Sequence, residues 1–216
     1  MSAVVGLLRR LDPAPFPDRM GEALARELAD CSSVLDVGCG EGGPLLRLTK
    51  PARLTGLDGH APSLERLRLK GAYDELRLGD VTEDALFPVA SFDAVVGLDI
   101  IEHFAKPEAL GLVARMERWA RCKVVLSTPN GFLPQAAFDA NPYQEHRCGF
   151  SPTELRDLGY SVHGLHGPRA LRGERGDLRW WPRPLWYRVG GLLQDACWDR
   201  PERAFGLLAV KRKEAV

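Results

Sequence analysis

The ten residues VLDVGCGEGG (34–43) hold the densest chemistry in the chain. Gly38, Gly40 and Gly43 fit G-x-G-x-x-G, the spacing that brings backbone against a pyrophosphate at a helix N-terminus. Gly38, Gly40 and Gly42 fit G-x-G-x-G equally well, with Asp36 two residues ahead of the first glycine. Charge separates the two templates. Asp36 and Glu41 would repel a pyrophosphate, whereas they would attract a ligand carrying an ammonium beside a sulfonium. Asp58, about 20 residues after the glycines, suits ribose hydroxyls in either cofactor class. Asp80 offers an acceptor to an adenine amino group, and the adjacent Val81 N–H offers a donor.

A second constellation follows. DIIEH places Asp99, Glu102 and His103 at i, i+3 and i+4, so a helix beginning there would carry all three on one face. Downstream, Glu145 and His146 precede the capping-box pattern of Ser151 and Glu154. The catalytic candidates are Glu102, His103 and His146, since an imidazole suits proton removal near neutrality. No metal is the favoured reading. The alternative is a divalent cation held by the mixed O/N set Asp99, Glu102, His103 and His146. His60, just after Asp58, is expected to pack near the nucleoside. His163 and His166 fall on a predicted sixth strand, distant by topology, and receive no role.

These residues need a frame. VLDVG, RLTGLD, DELRLGD, SFDAVVGLD, CKVVLSTP, YSVHGL and AFGLLAVKRK read as strands. PLLRLTK and APSLERLRLKG read as helices, as does KPEALGLVARMERWA, whose Ala109, Leu112, Val113, Met116 and Trp119 recur at helical spacing. The alternation predicts a parallel sheet covered on both faces, an α/β doubly wound class. In such sheets ligands bind beyond the carboxyl ends of strands, where Asp58, Asp80 and Asp99 all fall.

The ordered set VLDVGCGEG, GLD, GDV, FDAVVGLDIIEH and STPNG resembles the class I S-adenosylmethionine (SAM)-dependent methyltransferases from about Cys31 to Leu158. The resemblance implies a Rossmann-like seven-stranded sheet with the last strand antiparallel. It also implies SAM contacts at Asp36, Gly38, Gly40, Asp58, Asp80, Val81 and Leu98, to which Gly59 and Asp99 are added as neighbours. The acidic and histidine set is similar to a metal-binding pattern in ubiquinone-biosynthesis O-methyltransferases and small-RNA 2′-O-methyltransferases. Asp99 stands where those carry Glu, one methylene longer. An O-methylated small-molecule acceptor is the favoured reading. An NAD-dependent oxidoreductase and a non-catalytic SAM-binding partner module are the alternatives.

Composition bounds the rest. At 216 residues, 1–216 is expected to form a single domain. Lys+Arg and Asp+Glu both number 29, so net charge gives no case for a nucleic-acid partner. Five cysteines without a C-x-x-C pair suggest a reducing cytoplasm. MSAVVGLLRRLDP has its apolar run before its arginines, the wrong order for a signal peptide, and no run is long enough for a transmembrane segment. The oligomeric state is left open. Between strands six and seven, about 167–202, lies a segment rich in Arg, Trp, Pro and Gly. It is too long for a hairpin loop and must carry helices, as scaffold, as a lid over the acceptor or, less favoured, as a membrane-surface element.

Overall fold

The computed structural model describes residues 18–49, 51–137 and 141–213. The opening apolar run and the arginines after it lie outside these residues. Seven strands form one sheet: β1 (Ser33–Val37), β2 (Arg53–Asp58), β3 (Glu75–Leu78), β4 (Phe92–Leu98), β5 (Ala120–Pro129), β6 (Ser161–Pro168) and β7 (Ala204–Arg212). Their order is β3-β2-β1-β4-β5-β7-β6. Pairings are parallel from β3 through β5, and β7 runs antiparallel to both β5 and β6. This is the Rossmann-like, mostly parallel sheet expected, with its last strand reversed.

Successive residues of a strand face opposite sides, and the core divides accordingly. Leu35, Val95, Val124 and Leu126 meet α3 (Lys106–Trp119) through Leu112, Met116 and Trp119 on one face. Val34, Ala94, Val96 and Val125 meet α1 (Arg19–Leu28) through Met20, Ala23, Leu24 and Leu28 on the other. Each fully buried large aliphatic contributes on the order of 1.5–3 kcal/mol. Helix α1 is absent from the expectations above, although Asp18 caps it by accepting from the Gly21 N–H at 2.9 Å. PLLRLTK forms only a four-residue 3₁₀ turn, Pro44–Arg47, because Leu48 returns to extended backbone. Two further helices, α2 (Ala61–Arg68) and α4 (Pro152–Asp157), follow the sequence expectation, the latter with its Ser151–Glu154 capping box.

The segment between β6 and β7 carries α5 (Arg183–Leu192) and α6 (Gln194–Trp198) between short 3₁₀ turns. Buried Gln194 pins it to β6, donating to the Gly164 carbonyl and accepting from the Gly167 N–H, each at 2.8 Å. Trp198 stacks on His163 with ring centroids 4.4 Å apart. No helix among the described residues is long and apolar enough to cross a membrane.

Candidate active site

The parallel strands end on one edge, and the candidate residues gather there. β1 runs into Gly38, whose φ is +69° and where a Cβ would lie 2.2 Å from Ile100 Cδ1. Only glycine fits. Gly40 has φ +50° and nothing within 4 Å of its absent Cβ, so the turn presents bare backbone to open space. Its N–H donates to Asp58 Oδ2 at 2.7 Å, and the His60 N–H donates to Asp58 Oδ1 at 2.7 Å. A carboxylate offers about four acceptor positions, so Asp58 keeps capacity for further donors such as hydroxyls. His60 flanks α2 with Nδ1 2.8 Å from Ser63 Oγ.

Asp36 is buried beneath the glycine turn, accepting from the Tyr73 hydroxyl at 2.5 Å. Burial, only partly offset by Tyr73 and added to by Asp58, pushes its carboxyl up to about 7. A buried acid paired with no cation is costly unless something positive arrives. Past β3, Asp80 is exposed, and Oδ1 accepts from the Thr82 N–H and hydroxyl at 2.8 and 2.7 Å. Val81 is buried, and Gly59 lies under a feature the sequence reading missed: a Cβ there would sit 3.5 Å from the Tyr143 ring. Asn141, which accepts from the Tyr143 N–H, was the available turn signal.

DIIEH does not lie on an α-helix. Asp99 has φ +51°, residues Ile101–His103 make one 3₁₀ turn, and α3 starts at Lys106 with Pro107 in its first turn. A left-handed residue cannot continue a right-handed helix, so the expected common face does not form. Tertiary contacts assemble the group instead. The Arg147 and Cys148 N–H groups both donate to the Glu102 carbonyl, at 2.8 and 3.1 Å. That clamp brings His146 beside His103, with ring centroids 4.9 Å apart. Glu102, His103 and His146 each present a ligand-type atom, all within 4.8 Å of one another. Asp99 stands outside this trio because Ser127 holds it, donating to Oδ1 at 2.9 Å.

The trio is chemically poised. His103 Nδ1 lies 3.1 Å from the Glu145 carbonyl and His146 Nδ1 lies 2.7 Å from the Leu133 carbonyl. Each Nδ1 must carry the proton to make that bond, which puts the ring's lone pair on Nε2. Burial lowers the His103 pKa. Glu102 is 1% exposed, and neither carboxyl oxygen has a hydrogen-bond partner of good geometry; the neighbouring Thr128 hydroxyl is likewise unpartnered. Burial, then Asp99, raises the Glu102 pKa well above the carboxylate range.

A cavity of about 310 Å³ runs past Asp99, Glu102, His103, His146, Phe205 and His166. The presence of His166 corrects the sequence expectation. The β6–β7 register shifts between Leu165 and Pro168, and His166 has φ +63°. Such an irregularity re-aims a side chain, here toward the strand ends. Asn130 of STPNG has a structural part: buried, it donates to the Pro201 and Ala204 carbonyls, each at 2.9 Å.

Residues 34–123, from β1 into the start of β5, match a family model described as a methyltransferase domain. Over those residues the chain is similar to methyltransferases, and its fold is that of solved SAM-dependent members. Three solved structures share this chain's fold. The methyltransferase domain of bacterial CtHen1-CN is 21% identical with TM-score 0.55, covering 90% of this chain and 97% of that one. A SAM-dependent methyltransferase from Archaeoglobus fulgidus is 16% identical with TM-score 0.54, covering 90% and 93%. Magnesium protoporphyrin IX methyltransferase from Synechocystis, with bound SAM, is 18% identical with TM-score 0.51, covering 89% and 78%. The comparison with curated protein sequences found no match to this chain.

Proposed function

We propose that this protein is a SAM-dependent methyltransferase that methylates a hydroxyl group of a small molecule. One observation carries the reading: the convergence of Glu102, His103 and His146 within 4.8 Å, in a cavity at the strand ends beside Asp99. SAM, when bound, supplies a methyl group on a positively charged sulfur. The glycine turn, with Asp36 beneath it and Asp58 across it, gives that donor an acidic cradle; Gly59, Asp80, Val81, Leu98 and Asp99 extend the same edge. Transfer of that methyl to an acceptor oxygen would leave the bonding pair on the donor's sulfur and would require the hydroxyl proton to be taken up by the protein. The hydroxyl proton passes to the Nε2 lone pair of His103 or His146. The Leu133 and Glu145 carbonyls hold the rings for that transfer. A nitrogen acceptor would need no such base.

A second reading shares the site. An unpartnered buried carboxylate beside two imidazoles, each with its Nδ1 on a backbone carbonyl, is also a donor set for a divalent ion that would lower a hydroxyl's pKa. The cavity size and the balanced charge favour a small acceptor over a nucleic acid. Labelled-methyl transfer over phenols, catechols and matched amines tests both. His103→Ala and His146→Ala should lower kcat by about 10²–10⁴ with unchanged S-adenosylhomocysteine affinity. Activity lost to a chelator and restored by Mg²⁺ or Mn²⁺ selects the ion. Transfer to amines alone, or full turnover in both variants, overturns the proposal.

A further inference from the structure

A second cavity, of about 240 Å³, lies between the start of α1, the end of β6 and the segment before β7. Leu165, Leu171, Trp186 and Tyr187 give it apolar and aromatic walls. It adjoins the reactive cavity at His166, which lines both. β7 is shaped to leave that junction open. A Cβ on Gly206 would lie 2.6 Å from His166 Cδ2, so glycine there makes the room the ring occupies. His166 is held in the left-handed region, a conformation that persists where surroundings impose it, often at ligand sites.

Arg172 is a cation at this junction, in a lining that also holds Asp18 and the ion-paired Arg19. The Arg172 guanidinium lies 4.9 Å from the Phe205 ring centroid, and Phe205 belongs to the reactive cavity. Nη1 donates to the Gly176 carbonyl at 3.1 Å, which leaves most of its five N–H donors unspent. Arg19, Arg53, Arg66, Arg121, Arg156 and Arg212 all face carboxylates, but none among the described residues pairs with Arg172. Asp18 lines the same cavity within electrostatic reach of His166, and its Oδ1 is committed to capping α1. A planar guanidinium stacked on an aromatic ring, with its fork of donors open, matches a carboxylate.

We propose that the acceptor is an anionic hydroxy compound with an apolar body: the body fills the cavity beneath Trp186 and Tyr187, its carboxylate pairs with Arg172, and its hydroxyl passes His166 to reach Glu102, His103 and His146. This rests on the O-methylation reading and names the acceptor's class. The test is calorimetry on the protein saturated with S-adenosylhomocysteine. The probes are para-hydroxybenzoate, para-hydroxyphenylacetate and para-hydroxyphenylpropionate, each against its primary amide. At least one acid should bind about tenfold tighter than its amide, since a charge-assisted pair replaces a neutral one. Arg172→Met should erase that preference and Arg172→Lys should keep part of it, with S-adenosylhomocysteine affinity within about twofold in both as proof of folding. Equal binding of acids and amides, binding of neither series, or a preference surviving in Arg172→Met overturns the assignment. Wild-type protein that fails to bind S-adenosylhomocysteine would instead remove the cofactor reading beneath it.

Discussion

Replacing Asp36 by Asn should make the free protein more stable and the cofactor complex weaker. The carboxyl is raised to about 7 by burial, so the folded state holds its proton more tightly than the unfolded chain does. The stability this proton contributes is complete below the ordinary carboxylate range and drains away as pH rises through about 7. Three pKa units correspond to about 4 kcal/mol, the most that ionised Asp36 costs the free protein at pH ~8. Asn keeps the acceptor for the Tyr73 hydroxyl and never ionises. The variant should therefore outlast the wild type in urea at pH ~8, by up to about 4 kcal/mol, and match it near pH ~4. Binding runs the other way. A cationic ligand that needs the ionised acid finds about nine-tenths of it at pH ~8 and about one-tenth at pH ~6, a tenfold difference. The ligand's own α-amino group loses its proton over this range and opposes the trend by about two- to threefold. The clean quantity is thus the wild-type to Asp36→Asn affinity ratio for SAM, which should rise about tenfold from pH ~6 to pH ~8. A ratio flat with pH, or a variant less stable than wild type at pH ~8, refutes the reasoning.

Two further substitutions separate cofactor turn from scaffold. Gly38→Ala forces a Cβ into Ile100 at a φ of +69°, which should cost about 2–3 kcal/mol and lower Tm by roughly 4–12 °C, with S-adenosylhomocysteine binding impaired; an unchanged Tm would show the turn to be pliable. Asn130→Ala strands the Pro201 and Ala204 carbonyls and should cost about 1–3 kcal/mol in urea unfolding while leaving S-adenosylhomocysteine affinity within about twofold; a large loss of affinity would place Asn130 in the site.

The sheet was legible because β1, β4 and β5 are buried on both faces and so read as short, mainly apolar runs. The glycine turn was legible because its acids and glycines are contiguous. Helix α1 escaped because ten residues with Arg and Glu on the outer face hide the inward pattern of Met20, Ala23, Leu24 and Leu28. The Glu102–His103–His146 group was half legible. Residue types and spacing named its members, but the helix invoked to align them does not exist, and backbone bonds from Arg147 and Cys148 to Glu102 do that work. His166 escaped altogether. An edge strand ordinarily points away from the centre, and only a register shift and a left-handed residue turn it inward. Arg172 carried no motif, since a lone arginine in a basic stretch reads as solvated until its neighbours are known.

The clamp on the Glu102 carbonyl is made entirely of main-chain atoms. Substituting any side chain in the trio therefore leaves the spacing of the other two in place. Descendants of this scaffold can trade an imidazole for a carboxamide, or an acid for a hydroxyl, without unfastening the two loops that meet there. The proposed chemistry, ion-assisted or base-assisted, would thus change without moving the framework that hosts it.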